Sequence, residues 1–134
     1  MYSLDVVKVE CHTAVGADGA ATVAVTTPGI ISGRLLGIAC EYLSAPPAAT
    51  TDVTVATKGD NGPARTLMFV ENSATDWHKQ PMVQASNPTN GAALAYTTTV
   101  HEVYVEPVIH DRVTVTIAGA NAGDGVDVWL LLER

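Results

Sequence analysis

The chain has 134 residues, of which 47% are hydrophobic and only 5% aromatic, and its formal net charge is −7. A chain of this length fits one domain, residues 1–134, and can bury a core without disulfides or metals to reinforce it. The acidic balance argues against a nucleic-acid partner, because binding to phosphates requires clustered lysines and arginines and the seven basic residues here are scattered.

The start of the chain predicts neither secretion nor membrane insertion. Met1–Lys8 lacks the basic start and apolar run of a signal peptide, and no stretch approaches the ~20 apolar residues of a membrane span. We therefore expect synthesis in the cytoplasm and no membrane partner. Cys11 and Cys40 are expected to be reduced core residues, with a single disulfide between them as the alternative.

Period-2 alternation predicts strands in the first third of the chain. Val6–Thr13 and Ala20–Thr27 flank the turn sequence Gly16–Gly19, a pattern that predicts a hairpin. Ile30–Leu43 is the longest apolar stretch, and its leucine spacing would also fit a helix. Its glycines and β-branched residues favour a bent or bulged strand instead.

The middle of the chain predicts a second hairpin followed by a less regular region. Thr51–Thr57 and Arg65–Val70 alternate on either side of a glycine- and proline-containing turn. Asn72–Tyr96 is the longest loop-like stretch, and loops usually carry binding surfaces. The pattern of Thr97–Glu106 predicts a further strand.

The closing stretch Asp111–Glu133 carries the clearest pattern and predicts a hairpin around the glycine-rich loop Gly119–Gly125. Six alternating residues of its two arms are expected to be buried together: Val113, Val115, Ile117, Val126, Val128 and Leu130. The whole pattern predicts an all-β fold, an antiparallel β-sandwich or barrel of the jelly-roll-like or β-tulip-like kind, with about eight strands and no significant helix.

No arrangement of residues in the sequence matches a catalytic or metal-binding motif. The four histidines, which we interpret as surface or turn residues, are His12, His78, His101 and His110. Cys11 and His12 are adjacent and would point to opposite faces of a strand, so they cannot form a dyad without distortion. We therefore predict no catalytic, cofactor-binding or metal-binding residues and no enzymatic activity.

Two weaker candidate sites are a glycine-rich loop and a set of carboxylates. Gly119–Gly125 precedes no helix, so a mobile hairpin loop is the favoured interpretation over a phosphate cradle. Calcium binding would require loops to converge around the carboxylates, and no DxDxDG spacing is present. Solvated acidic loops are therefore the favoured interpretation of Asp60, Asp76, Asp111, Asp124 and Asp127.

The two tryptophans have different expected roles. Trp129 lies in a predicted strand and should pack in the core or against a sheet face. Trp77 follows Thr75-Asp76 in a predicted turn, where it either anchors a partner or caps the end of the sandwich. Capping is the favoured interpretation.

Several segments together resemble a group of small virion structural proteins of tailed bacteriophages. The resemblance covers roughly two-thirds of the chain in order and does not include Met1–Thr27; its segments are Thr50–Thr57 (TTDVTVAT), Ser73–Trp77 (SATDW), Pro81, Gly91–Leu94 (GAAL) and Asp111–Glu133. It implies a head decoration, or cement, protein that is β-rich and trimeric and binds the lattice of the major capsid protein. It carries over no catalytic residues.

These observations lead to three function hypotheses. The first is a non-enzymatic virion protein that decorates and stabilises the capsid exterior as an oligomer, most simply a homotrimer. The second is another virion component, such as a tail or neck protein. The third is a carbohydrate-binding β-sandwich for adhesion, which the shortage of aromatic residues disfavours.

Overall fold

The computed structural model describes residues 3–43, 47–84, 91–92 and 104–134. Within these ranges the chain forms eleven β-strands and no helix. The strands are β1 Leu4–Cys11, β2 Ala21–Thr26, β3 Ile31–Tyr42, β4 Asp52–Thr57, β5 Thr66–Val70, β6 Trp77–Lys79, β7 Val83–Gln84, β8 Tyr104–Val105, β9 Val108–Asp111, β10 Val113–Ala120 and β11 Val126–Glu133.

Nine of these strands form two antiparallel sheets that enclose one core. The five-stranded sheet runs β1-β11-β3-β6, and β9 also pairs with β3. The four-stranded sheet runs β2-β10-β4-β5. β7 and β8 pair with each other as a separate two-stranded ribbon. The predicted all-β antiparallel sandwich is confirmed, with somewhat more strands than the expected eight.

The core lies between the central strands of the two sheets. Val113, Val115 and Ile117 of β10 are completely buried, as are Val128 and Leu130 of β11. Val126 is 1% exposed, so all six residues expected in the core are there. Alternation therefore predicted correctly which face of each strand is buried.

The predicted hairpin over Asp111–Glu133 is wrong, because its two arms lie in different sheets. β10 pairs with β2 and β4, whereas β11 pairs with β1 and β3. The glycine-rich loop crosses from one sheet to the other, a step of about 10 Å between packed sheets. Alternation shows which face of a strand is buried, but a flexible loop of this length does not determine its partner.

The predicted first hairpin fails in the same way. β1 belongs to the five-stranded sheet and β2 to the four-stranded sheet. Val15, in the loop after β1, forms an isolated bridge with Thr22 of β2. The hairpin of β4 and β5 is confirmed, since these strands pair directly.

The long apolar stretch is a bulged strand, as predicted. Leu131 pairs with Gly37 and Leu132 with Leu35, so one extra residue of β3 is accommodated between them. Gly33 has φ +135°, and a Cβ there would lie 2.7 Å from the carbonyl oxygen of Glu133. β3 therefore approaches the end of β11 at a point where only glycine fits.

Two sequence predictions extend beyond the described residues. Of the predicted strand Thr97–Glu106, residues 97–103 lie outside them, and the described end forms β8. The region Asn72–Tyr96 contains β6 and β7, and its residues 85–90 and 93–96 also lie outside the described ranges.

We predict that Leu130→Ala lowers the free energy of unfolding by about 2–5 kcal/mol, because it leaves a cavity in a fully buried site. Leu131→Ala is the matched control, since Leu131 follows in the same strand and is only partly buried on the opposite face. Urea denaturation of both variants measures the difference. Equal losses would contradict the assignment of the core face.

Candidate functional site: carboxylate-anchored loops and exposed surfaces

Asp111 is the clearest buried charge, and it anchors a loop. Its side chain accepts hydrogen bonds from the backbone amides of Gly59 at 2.9 Å, Arg112 at 2.7 Å and Asp60 at 3.3 Å. Asp60 in turn forms a 2.7 Å ion pair with Arg112. Burial raises the pKa of Asp111, but the backbone amides, including that of Asn61, outweigh it and lower the pKa. The turn between β4 and β5 is thereby fixed to the end of β9.

Asp124 plays the same part in the glycine-rich loop. It is 6% exposed, and its Oδ2 atom accepts hydrogen bonds from the amides of Asn121 at 3.0 Å and Ala48 at 3.3 Å. The amide of Gly123 donates to the carbonyl of Ala14, and the amide of Ala14 donates to the carbonyl of Asp124. The loop is therefore a fixed crossing between sheets and not the hairpin loop that we predicted.

The interpretation of the five carboxylates considered for calcium as solvated is wrong for Asp111, Asp124 and Asp127, which are buried, whereas Asp60 and Asp76 are exposed. They make structural contacts at several places, and Asp60 and Asp111 share one of them. Asp76 accepts a hydrogen bond from the amide of Tyr42, at the end of β3, over 2.9 Å. Asp127 faces outward on β11 and pairs with Lys8 and His12. Across residues 3–43, 47–84, 91–92 and 104–134, no group of three or more histidine, cysteine or acidic side chains could hold a metal ion.

The outer face of the five-stranded sheet carries a compact charged cluster around Trp129. The Lys8 ammonium lies 5.4 Å from the centre of the Trp129 ring, 3.3 Å from Glu10 and 3.6 Å from Asp127. His12 Nε2 lies 2.7 Å from the other oxygen of Asp127. These residues meet because Lys8 is the register partner of Trp129 and Glu10 that of Asp127. Trp129 packs against a sheet face, as predicted, and Lys8 contacts its ring.

The other described histidines lie elsewhere on the surface. His110 hydrogen bonds to Ser32 across the β3–β9 pair. His78, on β6, packs over Gly37, where a Cβ atom would lie 2.9 Å from its Nε2. His12, His78 and His110 are all exposed, which agrees with surface residues, and His101 lies outside the described residues.

Both cysteines are free and buried, as predicted. Cys11 is completely buried and Cys40 is 2% exposed. Burial raises the pKa of Cys11 to about 11, although backbone hydrogen bonds lower it in part. Burial, with neighbouring charges such as Asp76, raises the pKa of Cys40 to about 12. Cys11 points inward while His12 is exposed, so the adjacent pair does face opposite ways.

Trp77 lies in a short strand and not in the predicted turn. β6 pairs with β3 at the edge of the five-stranded sheet, opposite Cys40. The indole is half-buried against the core, and its Nε1 donates to the hydroxyl of Tyr42 at 3.3 Å. It therefore closes one edge of the sandwich, which is a packing role close to the favoured capping interpretation.

One candidate protein-binding surface is formed where the chain leaves the sandwich. Met82 directly precedes β7, Tyr104 and Val105 form β8, and Val108 begins β9, and these four residues are 44–67% exposed. We call these four residues the ribbon base. The sequence did not identify them, because an exposed valine and a buried valine give the same strand pattern. A neighbouring depression is lined by residues that include Leu36, His78 and Leu131.

A second candidate surface is the open side of the sandwich between the edge strands β1 and β2. A groove of about 310 Å³ there is lined mainly by apolar side chains, including Val7, Val25 and Ile31. The β1 edge is protected against pairing, because the Asp5 carboxylate accepts a hydrogen bond from the amide of Val6 and Lys8 follows in the strand. The groove therefore does not offer an unguarded strand edge.

A scan against models of known protein families finds no match, and a search of curated proteins finds no significantly similar sequence. The part of the chain that the structure describes includes no helix that could span a membrane.

We predict that Asp111→Asn destabilises the protein at neutral pH and flattens the loss of stability in acid. The lowered pKa of Asp111 means that its contribution is present above the ordinary value of 3.8 and is lost as the pH falls through the folded-state pKa. Thermal melts of the wild type and the variant across the acidic range test this. Glu71→Gln, at an exposed position directly after β5, is the control. Parallel acid profiles for wild type and Asp111→Asn would contradict the role of Asp111.

We predict that both thiols resist alkylation in the native protein and react after denaturation without reductant. Mass spectrometry should then show two modified cysteines, and finding none would indicate a disulfide.

The raised pKa values of the two thiols also predict that the free energy of unfolding decreases as the pH rises from about 9 through about 12. Replacing both cysteines with alanine should reduce that alkaline slope.

Proposed function

We propose that this chain is a non-enzymatic structural protein of a tailed-bacteriophage virion, where it decorates and stabilises the capsid exterior as an oligomer. The sequence segments that resemble small virion proteins support this proposal. The ribbon base carries the structural part of the argument, because it presents large apolar side chains to solvent beside a rigid sandwich.

A decoration protein needs a stable body and contacts that act in many copies. The fully buried core residues of both sheets supply the body. The buried carboxylates of Asp111 and Asp124 hold the β4–β5 turn and the glycine-rich loop to that body through backbone amides. Many modest contacts on a symmetric shell then add by avidity, and binding only to the assembled shell stabilises it by mass action.

The major capsid protein lattice is the proposed partner, and the ribbon base is the proposed contact. An apolar contact is proposed because the exposed side chains of the ribbon base are large and apolar. Another virion position, such as the tail or neck, is the alternative within the same class. Carbohydrate adhesion is disfavoured, because Trp129 is half-buried with Lys8 near its ring and Trp77 packs at the sheet edge.

The location of the chain in purified particles tests the proposal. Mass spectrometry of the particles should detect it, and electron microscopy should place it in many copies on the capsid exterior. Particles assembled without it should form but rupture at lower temperature. Its absence from particles, or its presence only on the tail, would overturn the decoration proposal.

We predict that Val108→Asp prevents the chain from being retained on particles, because it places a charge in the ribbon base. Val15→Asp is the matched control: Val15 is 76% exposed and Val108 67%, and the substitution is the same. Cosedimentation of each variant with undecorated particles measures binding. Equal binding by the two variants would remove the ribbon base from the proposed contact, while circular dichroism confirms that each is folded.

A further inference from the structure

The outer face of the four-stranded sheet differs from the rest of this acidic protein. Apart from Asp52 and Phe69, its outward positions are threonines and alanines, and residues of neighbouring strands align in rows across it. One row runs Ala24–Thr116–Thr54–Phe69, and the next runs Thr26–Thr114–Ala56–Thr66. Asp52 is the single charged residue among the outward positions of these four strands.

Phe69 stands out on this flat surface. It is the only phenylalanine in the chain, and 53% of it is exposed although it lies within a strand. Its register partner Thr54 is smaller, and Ala24 at the far end of the row is smaller still. The side chains of this row therefore become smaller from β5 to β2. An exposed aromatic beside small, uncharged residues is typical of an interface anchor.

We propose that this face binds a second copy of the same chain through a two-fold axis parallel to the strands. The axis passes between β10 and β4, so each row of the second copy lies over the same row of the first and runs in the opposite direction. Phe69 of one copy then lies over Ala24 of the other, and the reverse contact forms at the same time. Such an isologous contact uses one self-complementary patch on both copies.

The self-complementary row is what selects a second copy as the occupant, and the charges on this face do not oppose it. Two chains with a net charge of −7 repel each other, and this face lets them approach without facing carboxylates. Under the two-fold axis Asp52 lies opposite Ala118 of the other copy, because these residues are register partners on β4 and β10. The geometry therefore avoids placing like charges together.

The size of the face indicates a weak contact. Four strands about 4.8 Å apart and about six residues long cover roughly 400 Å² per copy, or about 800 Å² in total, below the ~1,200 Å² of a stable complex. The inference deepens the self-association within the proposed function. The proposed contact is two-fold, so it links two copies, or two trimers, and uses a different surface from the contacts that close a three-fold ring.

A pair of introduced cysteines tests the geometry without removing Phe69. Thr26 and Thr66 lie at opposite ends of one row, about 14 Å apart within a chain, but face each other across the proposed interface at about 10 Å. A short thiol crosslinker should therefore join two copies of Thr26→Cys/Thr66→Cys. Each single variant should give little product, and the buried Cys11 and Cys40 should not react.

Sedimentation velocity at high concentration supplies the second measurement. Phe69→Asp should weaken association at least about tenfold, whereas Val6→Asp, which is 56% exposed on the other sheet, should leave it unchanged. Equal crosslinking in the single variants, no crosslinking in the double variant, or unchanged association of Phe69→Asp would each overturn the inference. Binding of Phe69→Asp to particles is measured separately, so that a failure of this contact is distinguishable from a failure of the proposed function.

Discussion

Burial of the apolar faces of β10 and β11 is the constraint on which the rest of this structure depends. Each strand is central in its own sheet, and each contributes completely buried side chains to the common core. Burying a valine or leucine contributes about 1.5–3 kcal/mol relative to exposure. The two sheets are therefore held together by two strands that follow each other along the chain, across a loop of five residues, 121–125.

This arrangement makes the crossing loops important. A loop that passes between sheets leaves backbone amides that no strand can satisfy, and an unsatisfied buried amide is costly. Asp124 satisfies such amides with a buried carboxylate, and buried Asp111 does so for Arg112, between β9 and β10, as well as for the β4–β5 turn. The exposed Asp76 accepts a hydrogen bond from the amide of Tyr42 at the end of β3. The acidic composition of the chain thus has a structural use in addition to its effect on solubility.

The surfaces follow from the same architecture. Because the inward positions of both sheets are filled by the core, the outward positions are available for other contacts. On the five-stranded sheet they carry Lys8, Asp127 and Trp129, which interact with one another. On the four-stranded sheet they carry small uncharged residues and the exposed Phe69. The two outer faces of the sandwich therefore differ in charge and in side-chain size.

The sequence by itself determined the fold class, the buried face of each strong strand, the bulge in β3 and the free state of the two cysteines. These properties follow from local alternation and composition. Only the tertiary structure decided that β10 and β11 pair with different sheets, because alternation is the same for a hairpin and for a crossing between sheets. It also decided the exposure of Val108 and Phe69. A side chain in a strand is exposed or buried according to what packs over it, and those neighbours come from distant parts of the chain.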